Sequence, residues 1–151
     1  ISPTDTEPST ESSTIDNKAT VAIAPIETGH GWVWPADGVV IGRFEDNTGD
    51  NGIDISGQSG DPIQAAAAGK VVYAGTGLRG YGLLLIIKHD ETYLSAYAHN
   101  RAVMTKEGDE VSKGQVIAEM GQTGTESPRL HFEIRKDGKP VDPLRYLPQK
   151  N

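Results

Sequence analysis

The chain has 151 residues, a formal charge of −7 and no cysteine. That length suffices for one domain with its own hydrophobic core. The absence of cysteine removes disulfide frameworks, thiol nucleophiles and thiolate metal sites. An acidic chain without a basic stripe has nothing to neutralise phosphates, so a nucleic-acid role has no electrostatic footing.

Residues 1–29 carry Asp5, Glu7, Glu11, Asp16 and Glu27 against Lys18, and Ser, Thr and Pro dominate the rest. One weak apolar patch, Val21 to Ile26, buries too little to offset the entropy of ordering. A flexible acidic linker is expected over 1–29, its patch able to add an edge strand or to lie along the domain, with the domain over 30–151. The chain starts at Ile1 without Met, signal peptide or lipidation cysteine, which suggests a processed or trimmed soluble piece. Its longest apolar run, Leu83 to Ile87, is far too short to span a bilayer as a helix.

Eighteen Gly and nine Pro beside only two Phe favour short strands joined by tight turns. Strand-like runs are Gly38–Phe44, Gly52–Ile55, Gly69–Ala74, Gly82–His89, Thr92–Ala98, Val116–Met120 and Leu130–Arg135. The run Leu83 to Ile87 lacks alternation, as a strand covered on both faces does. Two stretches echo each other: Gly60 to Ile63 leading to Gly69 to Val72, and Gly108 to Val111 leading to Gly114 to Ile117. They look like one β-unit used twice. Trp32 and Trp34 are expected to anchor the entry to the domain.

Gly52-Ile53-Asp54-Ile55, Gly80-Tyr81-Gly82, Tyr97-Ala98-His99, Gly121-Gln122-Thr123-Gly124 and Leu130-His131-Phe132-Glu133 occur in that order. Together they resemble the ordered motifs of LytM/lysostaphin-type metallopeptidases, from Trp34 to Pro148. The resemblance implies an all-β, mainly antiparallel sheet or sandwich, built from a duplicated motif and carrying a long groove. In that family a His and an Asp of a His-x-Gly-x-Asp segment and the second His of a His-x-His strand hold zinc. The first His of that strand and a His after Tyr-x act on water. Such chemistry needs three protein ligands, an open fourth position and a neighbouring base.

Carried over residue by residue, the ligand positions are Asp50, Asp54 and His131, and the positions acting on water are His99 and Arg129. Asp50 and Arg129 depart from the pattern. A guanidinium stays protonated and offers no lone pair to a metal or a proton. Residues 129 and 131 point to one face of a strand, so Arg129 would project into the volume where metal and water would sit. The expectation is a salt-bridge plug in which Arg129 pairs with Asp50, Asp54 or both, with no cofactor and no catalytic residue. A weak carboxylate-rich metal site at Asp50, Asp54 and His131 is the lesser alternative. The stretch Asp46 to Gly52 fits a calcium loop poorly, because Gly57 stands where a Glu is needed, and a turn is the better reading. His99 reads as a relic, and His30 and His89 as surface or strand-end residues.

Leu78-Arg79 before Gly80-Tyr81-Gly82, the run Tyr93 to Asn100 and the ending Asp142 to Gln149 are similar to the NlpD branch of this family. The resemblance implies a degenerate site, a periplasmic and outer-membrane-associated location in a Gram-negative bacterium, and no enzymatic activity. It implies a partner N-acetylmuramoyl-L-alanine amidase of the AmiC kind, activated for septal peptidoglycan splitting, with peptidoglycan as a further contact. A lipid anchor and a LysM domain would belong to a longer precursor. Arg79, Tyr81, His99, Arg129 and the Asp50–Asp54 loop are the expected partner contacts. The rival readings are a zinc-dependent peptidoglycan endopeptidase with an atypical site, recruiting His30 for example; a lipoyl-like or phosphotransfer carrier module; and a passive peptidoglycan-binding module.

Overall fold

The computed structural model describes residues 25–45 and 51–149. Asp50, the rest of the Asp46 turn and the acidic segment 1–24 lie outside the described residues. The strands are β1 (Val40–Gly42), β2 (Ile53–Ser56), β3 (Pro62–Gln64), β4 (Gly69–Gly75), β5 (Leu83–Lys88), β6 (Tyr93–Val103), β7 (Glu110–Val111), β8 (Val116–Met120), β9 (Arg129–Lys136) and β10 (Lys139–Val141). Among the described residues there is no α-helix, only a 3-10 turn at Pro143–Arg145 capped by the Asp142 side chain. No helix of the described residues is long and apolar enough to cross a membrane.

The strands join one sheet in the order β1-β2-β9-β6-β5-β4-β7, with β10 on β9 and β8 bridging β3 and β6. Every pairing is antiparallel. The two echoing units clasp each other. The first strand of one, β3, pairs with the second of the other, β8, while β4 pairs with β7.

Alternation decides which face each side chain takes. Ile53 and Ile55 on β2, Leu85 and Ile87 on β5, Tyr97 on β6, and Leu130, Phe132 and Ile134 on β9 all enter the main core. Truncating a fully buried ring such as Phe132 to Ala costs about 3–5 kcal/mol. The residues between them, Asp54 on β2 and Arg129, His131, Glu133 and Arg135 on β9, take the opposite face. On that face β5 and β6 place Leu84, Ala96 and Ala98, packed against Tyr73, Tyr81 and Ile86. The unbroken apolar run of β5 is thus covered from both sides.

β6 is longer than the Thr92–Ala98 run predicts because it changes partners midway. Residues 93–98 pair with β9, and from Asn100 the strand pairs with β8. His99, between the two ladders, has φ 69°. A non-glycine residue there stores about 1–3 kcal/mol of strain, and such strain concentrates at functional positions.

Pro25–Gly29 runs along the domain: Ile26 N–H donates to Arg145 O at 2.8 Å, and Thr28 Oγ1 accepts from Trp32 Nε1 at 2.7 Å. Trp34 Nε1 donates to Pro148 O at 2.7 Å, tying the domain's two ends together. His89 takes one of the positions expected of it, a strand end, and His30 the other, the surface, only in part. His89 does follow β5, yet its ring turns inward against Trp32, with centroids 4.9 Å apart, and His30 joins them with Nε2 2.8 Å from Asp90. The Trp32 and Tyr93 rings, backed by Tyr146, supply the apolar surface against which both imidazoles pack.

Candidate functional site

The outward row of β9 meets Asp54 across the β2–β9 ladder, where Asp54 and His131 are register partners. His131 Nδ1 lies 2.8 Å from Asp54 Oδ1, and its Nε2 lies 2.8 Å from Glu133 Oε2. Arg129 Nη2 donates to Ser127 Oγ at 2.8 Å, while its Nη1 reaches Asp54 Oδ2 only at 3.4 Å. Glu133, buried at 1% side-chain exposure, also accepts from Tyr81 Oη at 2.9 Å and from Arg135 Nε at 2.8 Å. Tyr81 is held over this row by its flanking glycines, which have φ 90° and 64°. A Cβ on Gly82 would stand 2.2 Å from Thr123 O, so only glycine lets that loop close on the Thr123 turn. His99 Nδ1 donates to Thr123 O at 2.7 Å, and its ring centroid lies 6.1 Å from that of His131.

These contacts set the charges. Burial opposes a charge on His131, but its bonds to Asp54 and Glu133 outweigh it and push the imidazole up to about 9. Burial likewise opposes the charge on Asp54 and on Glu133, and the His131 imidazolium overrides it, holding both carboxyls below their ordinary range. His99 moves the other way: burial, helped by the charge on His131, depresses it. A neutral His99 that donates through Nδ1 leaves Nε2 as an acceptor in the cleft.

Among the described residues the donors at the matched positions fall short of the three that zinc needs. Of the matched positions, Asp54 and His131 retain donors, and His131 is a cation with both ring nitrogens on carboxylates. The adjacent guanidinium of Arg129 adds a fixed positive charge beside Asp54 and offers a metal no lone pair. Nor can His30 complete the set. It packs on Tyr93, five residues along β6 from the Ala98–His131 pair, or roughly 16 Å at the rise of a strand.

Asp54, Arg79, Tyr81, His99, Arg129 and His131 line one polar cleft of about 300 Å³. Within it, the tight partner of Asp54 is His131, with Arg129 as the looser one, so the imidazolium carries most of the neutralisation the sequence assigns to the guanidinium. Sequence reasoning passed over Glu133 and Arg135. The period-two rule that puts residues 129 and 131 on one face reaches 133 and 135 as well.

Residues 48–143 match the model of peptidase family M23. The chain is 64% identical over 121 residues to a lipoprotein NlpD/LppB homolog of Pseudomonas aeruginosa, covering 80% of this chain and 41% of that one. It is 59% identical over 127 residues to the murein hydrolase activator NlpD of Escherichia coli, covering 83% of this chain and 33% of that one. The chain therefore spans 33–41% of the length of these curated relatives. Among solved structures, a putative peptidase M23 from Pseudomonas aeruginosa aligns with a TM-score of 0.71 at 27% identity, over 82% of this chain and 53% of that one.

Proposed function

The chain belongs to peptidase family M23 as a LytM-type domain of the NlpD branch, and from that premise we propose that it is a catalytically inactive activator of a cell-wall hydrolase. Its partner is a periplasmic N-acetylmuramoyl-L-alanine amidase of the AmiC kind, engaged in splitting septal peptidoglycan at the envelope of a Gram-negative cell. The observation that carries this reading is Arg129, a permanent cation standing beside Asp54 and His131 where a peptidase needs a base and an open metal position. The names of the relatives, a lipoprotein homolog and a murein hydrolase activator, point the same way.

A cleft shaped for a peptide keeps its walls when its chemistry is lost, and can then hold a segment of another protein. If it binds the open state of the amidase more tightly than the closed one, it shifts that equilibrium by the difference in affinity alone. Arg79, Tyr81, His99 and Arg129 are the contacts assigned to the partner. The test is release of dye from labelled sacculi with zinc present. The protein alone is expected to release none, the mixture with amidase to release dye, and Arg129→Glu to lose that effect. Chelator-sensitive release by the protein alone would establish an atypical endopeptidase instead.

A further inference from the structure

The geometry points to a second half of the partner site: an apolar trough on β5 and β6 that receives a non-polar side chain of the amidase, while Arg79 and Arg129 receive a neighbouring carboxylate of the same segment. This inference rests on the activator reading above. The trough has a volume of about 290 Å³ and is lined by Leu78, Tyr81, Leu84, Ile86, Leu94 and Ala96, with Glu133 and Arg135 at its margin. It is continuous with the polar cleft, because Tyr81 and Glu133 line both.

The sheet register produces this juxtaposition. On the outward face Ala96 is flanked by Glu133 of β9 on one side and Ile86 of β5 on the other, and Leu94 stands opposite Arg135. A charged row therefore runs beside an apolar bank for the length of the groove. Such a surface matches an occupant with one charged and one apolar edge.

The charge of that occupant is negative. Among the described residues, Arg79, Arg129 and Arg135 line the two halves of the groove with two carboxylates, Asp54 and Glu133, on a chain whose overall charge is −7. Arg79 is exposed and has no partner among the described residues. Arg129 Nε is buried with no hydrogen-bond acceptor, and its Nη1 contact is long. A guanidinium has five donors in a fork suited to a carboxylate, so two arginines here have capacity to spare.

The trough separates the candidate occupants. A peptidoglycan strand offers carboxylates, but its sugars and short stem peptides have no large aliphatic or aromatic group to fill an apolar hollow. A protein segment offers both. Arg129 lies four residues along β9 from Glu133 and six from Arg135, so acid and apolar anchor are separated by roughly 13–20 Å. An extended stretch of four to six residues covers that distance, as do about three turns of helix.

The test measures binding to a purified amidase, and dye release from sacculi in its presence, for the full chain carrying Ile86→Glu or Ala96→Phe. Each variant is expected to bind at least about ten-fold more weakly with the unfolding midpoint retained, and Ile86→Leu to bind normally. Val116→Glu, on an exposed apolar side chain lining neither half of the groove, is expected to change nothing. Should Ile86→Glu fail to fold, Ala96→Phe decides, since it adds bulk to the trough and no charge. Full binding by both trough variants, with loss in Arg129→Glu, overturns the trough and leaves the activator reading standing. A wild-type protein that neither binds nor activates any amidase tested overturns both. Trough variants that change self-association, or that raise binding to the level of a chain lacking residues 1–24, would give the trough to a second copy or to the chain's own acidic segment, and overturn the proposal.

Discussion

Two half-buried imidazoles on the same sheet, His131 and His89, are driven in opposite directions by what surrounds them. His131 lies between the carboxylates of Asp54 and Glu133 and is held as a cation, its pKa pushed up to about 9. His89 lies between Ala68 O and Ser95 Oγ, and burial pushes it down to about 4. The second arrangement is a one-way relay. Ala66 N–H donates to Tyr97 Oη, which bonds Ser95 Oγ, which meets His89 Nε2, and His89 Nδ1 donates to Ala68 O. With a backbone donor at one end and a backbone acceptor at the other, every proton in the relay is assigned only when His89 is neutral. Burial is shared by both sites, so the partners decide which imidazole carries charge.

The widest gap between the two sites should appear when each loses a partner. Glu133→Ala strands the His131 and Arg135 cations over a buried void, and is expected to cost about 3 kcal/mol in denaturant unfolding, at the low end for a broken buried pair because Arg135 reaches solvent. A cost below that of a surface substitution would show that the charged row is not a unit. Tyr97→Phe, in the neutral relay, should cost less, about 1–3 kcal/mol, because Ala66 N–H is left buried without an acceptor.

Changing the pH alone perturbs the two sites one proton at a time, and the signs differ. The folded chain keeps its proton on His131 up to about 9, whereas the unfolded chain releases it near the ordinary 6.5. Stability from this site is therefore complete below 6.5 and is lost as the pH rises toward 9. His89 protonates near 4 in the folded chain but near 6.5 in the unfolded one, so its contribution is complete above 6.5 and is lost as the pH falls toward 4. The unfolding midpoint should peak near pH 6.5 and decline on both sides. Glu133→Gln should move the alkaline decline to lower pH and leave the His89 part of the acid decline in place. Imidazole proton resonances titrating in the reverse order would overturn the assignment.

The functional comparison has a smaller energetic signature. Arg129→Met removes a cation whose Nη1 lies 3.4 Å from Asp54, so stability should change by no more than about 1 kcal/mol, while amidase activation is lost. A stability loss of several kcal/mol would make Arg129 a structural plug above all.

The sequence by itself determined the β-class of the fold, the doubled Gly-Asp unit, the two-sided cover of β5 and the shared face of residues 129 and 131. Each of these is a local property, written in turn residues and in a side-chain period of two. It also identified Arg129 as chemically unlike the imidazole its motif calls for, since that follows from residue type alone. What only the tertiary structure decided is who meets whom across the sheet. His131 takes Asp54 from 77 positions away, Glu133 gathers Tyr81 and Arg135, His89 turns inward beneath Trp32, and His99 takes a left-handed backbone where β6 changes partners. Those outcomes depend on strand order and register, which no periodicity encodes, and it is they that fix which groups carry charge and where the groove is apolar.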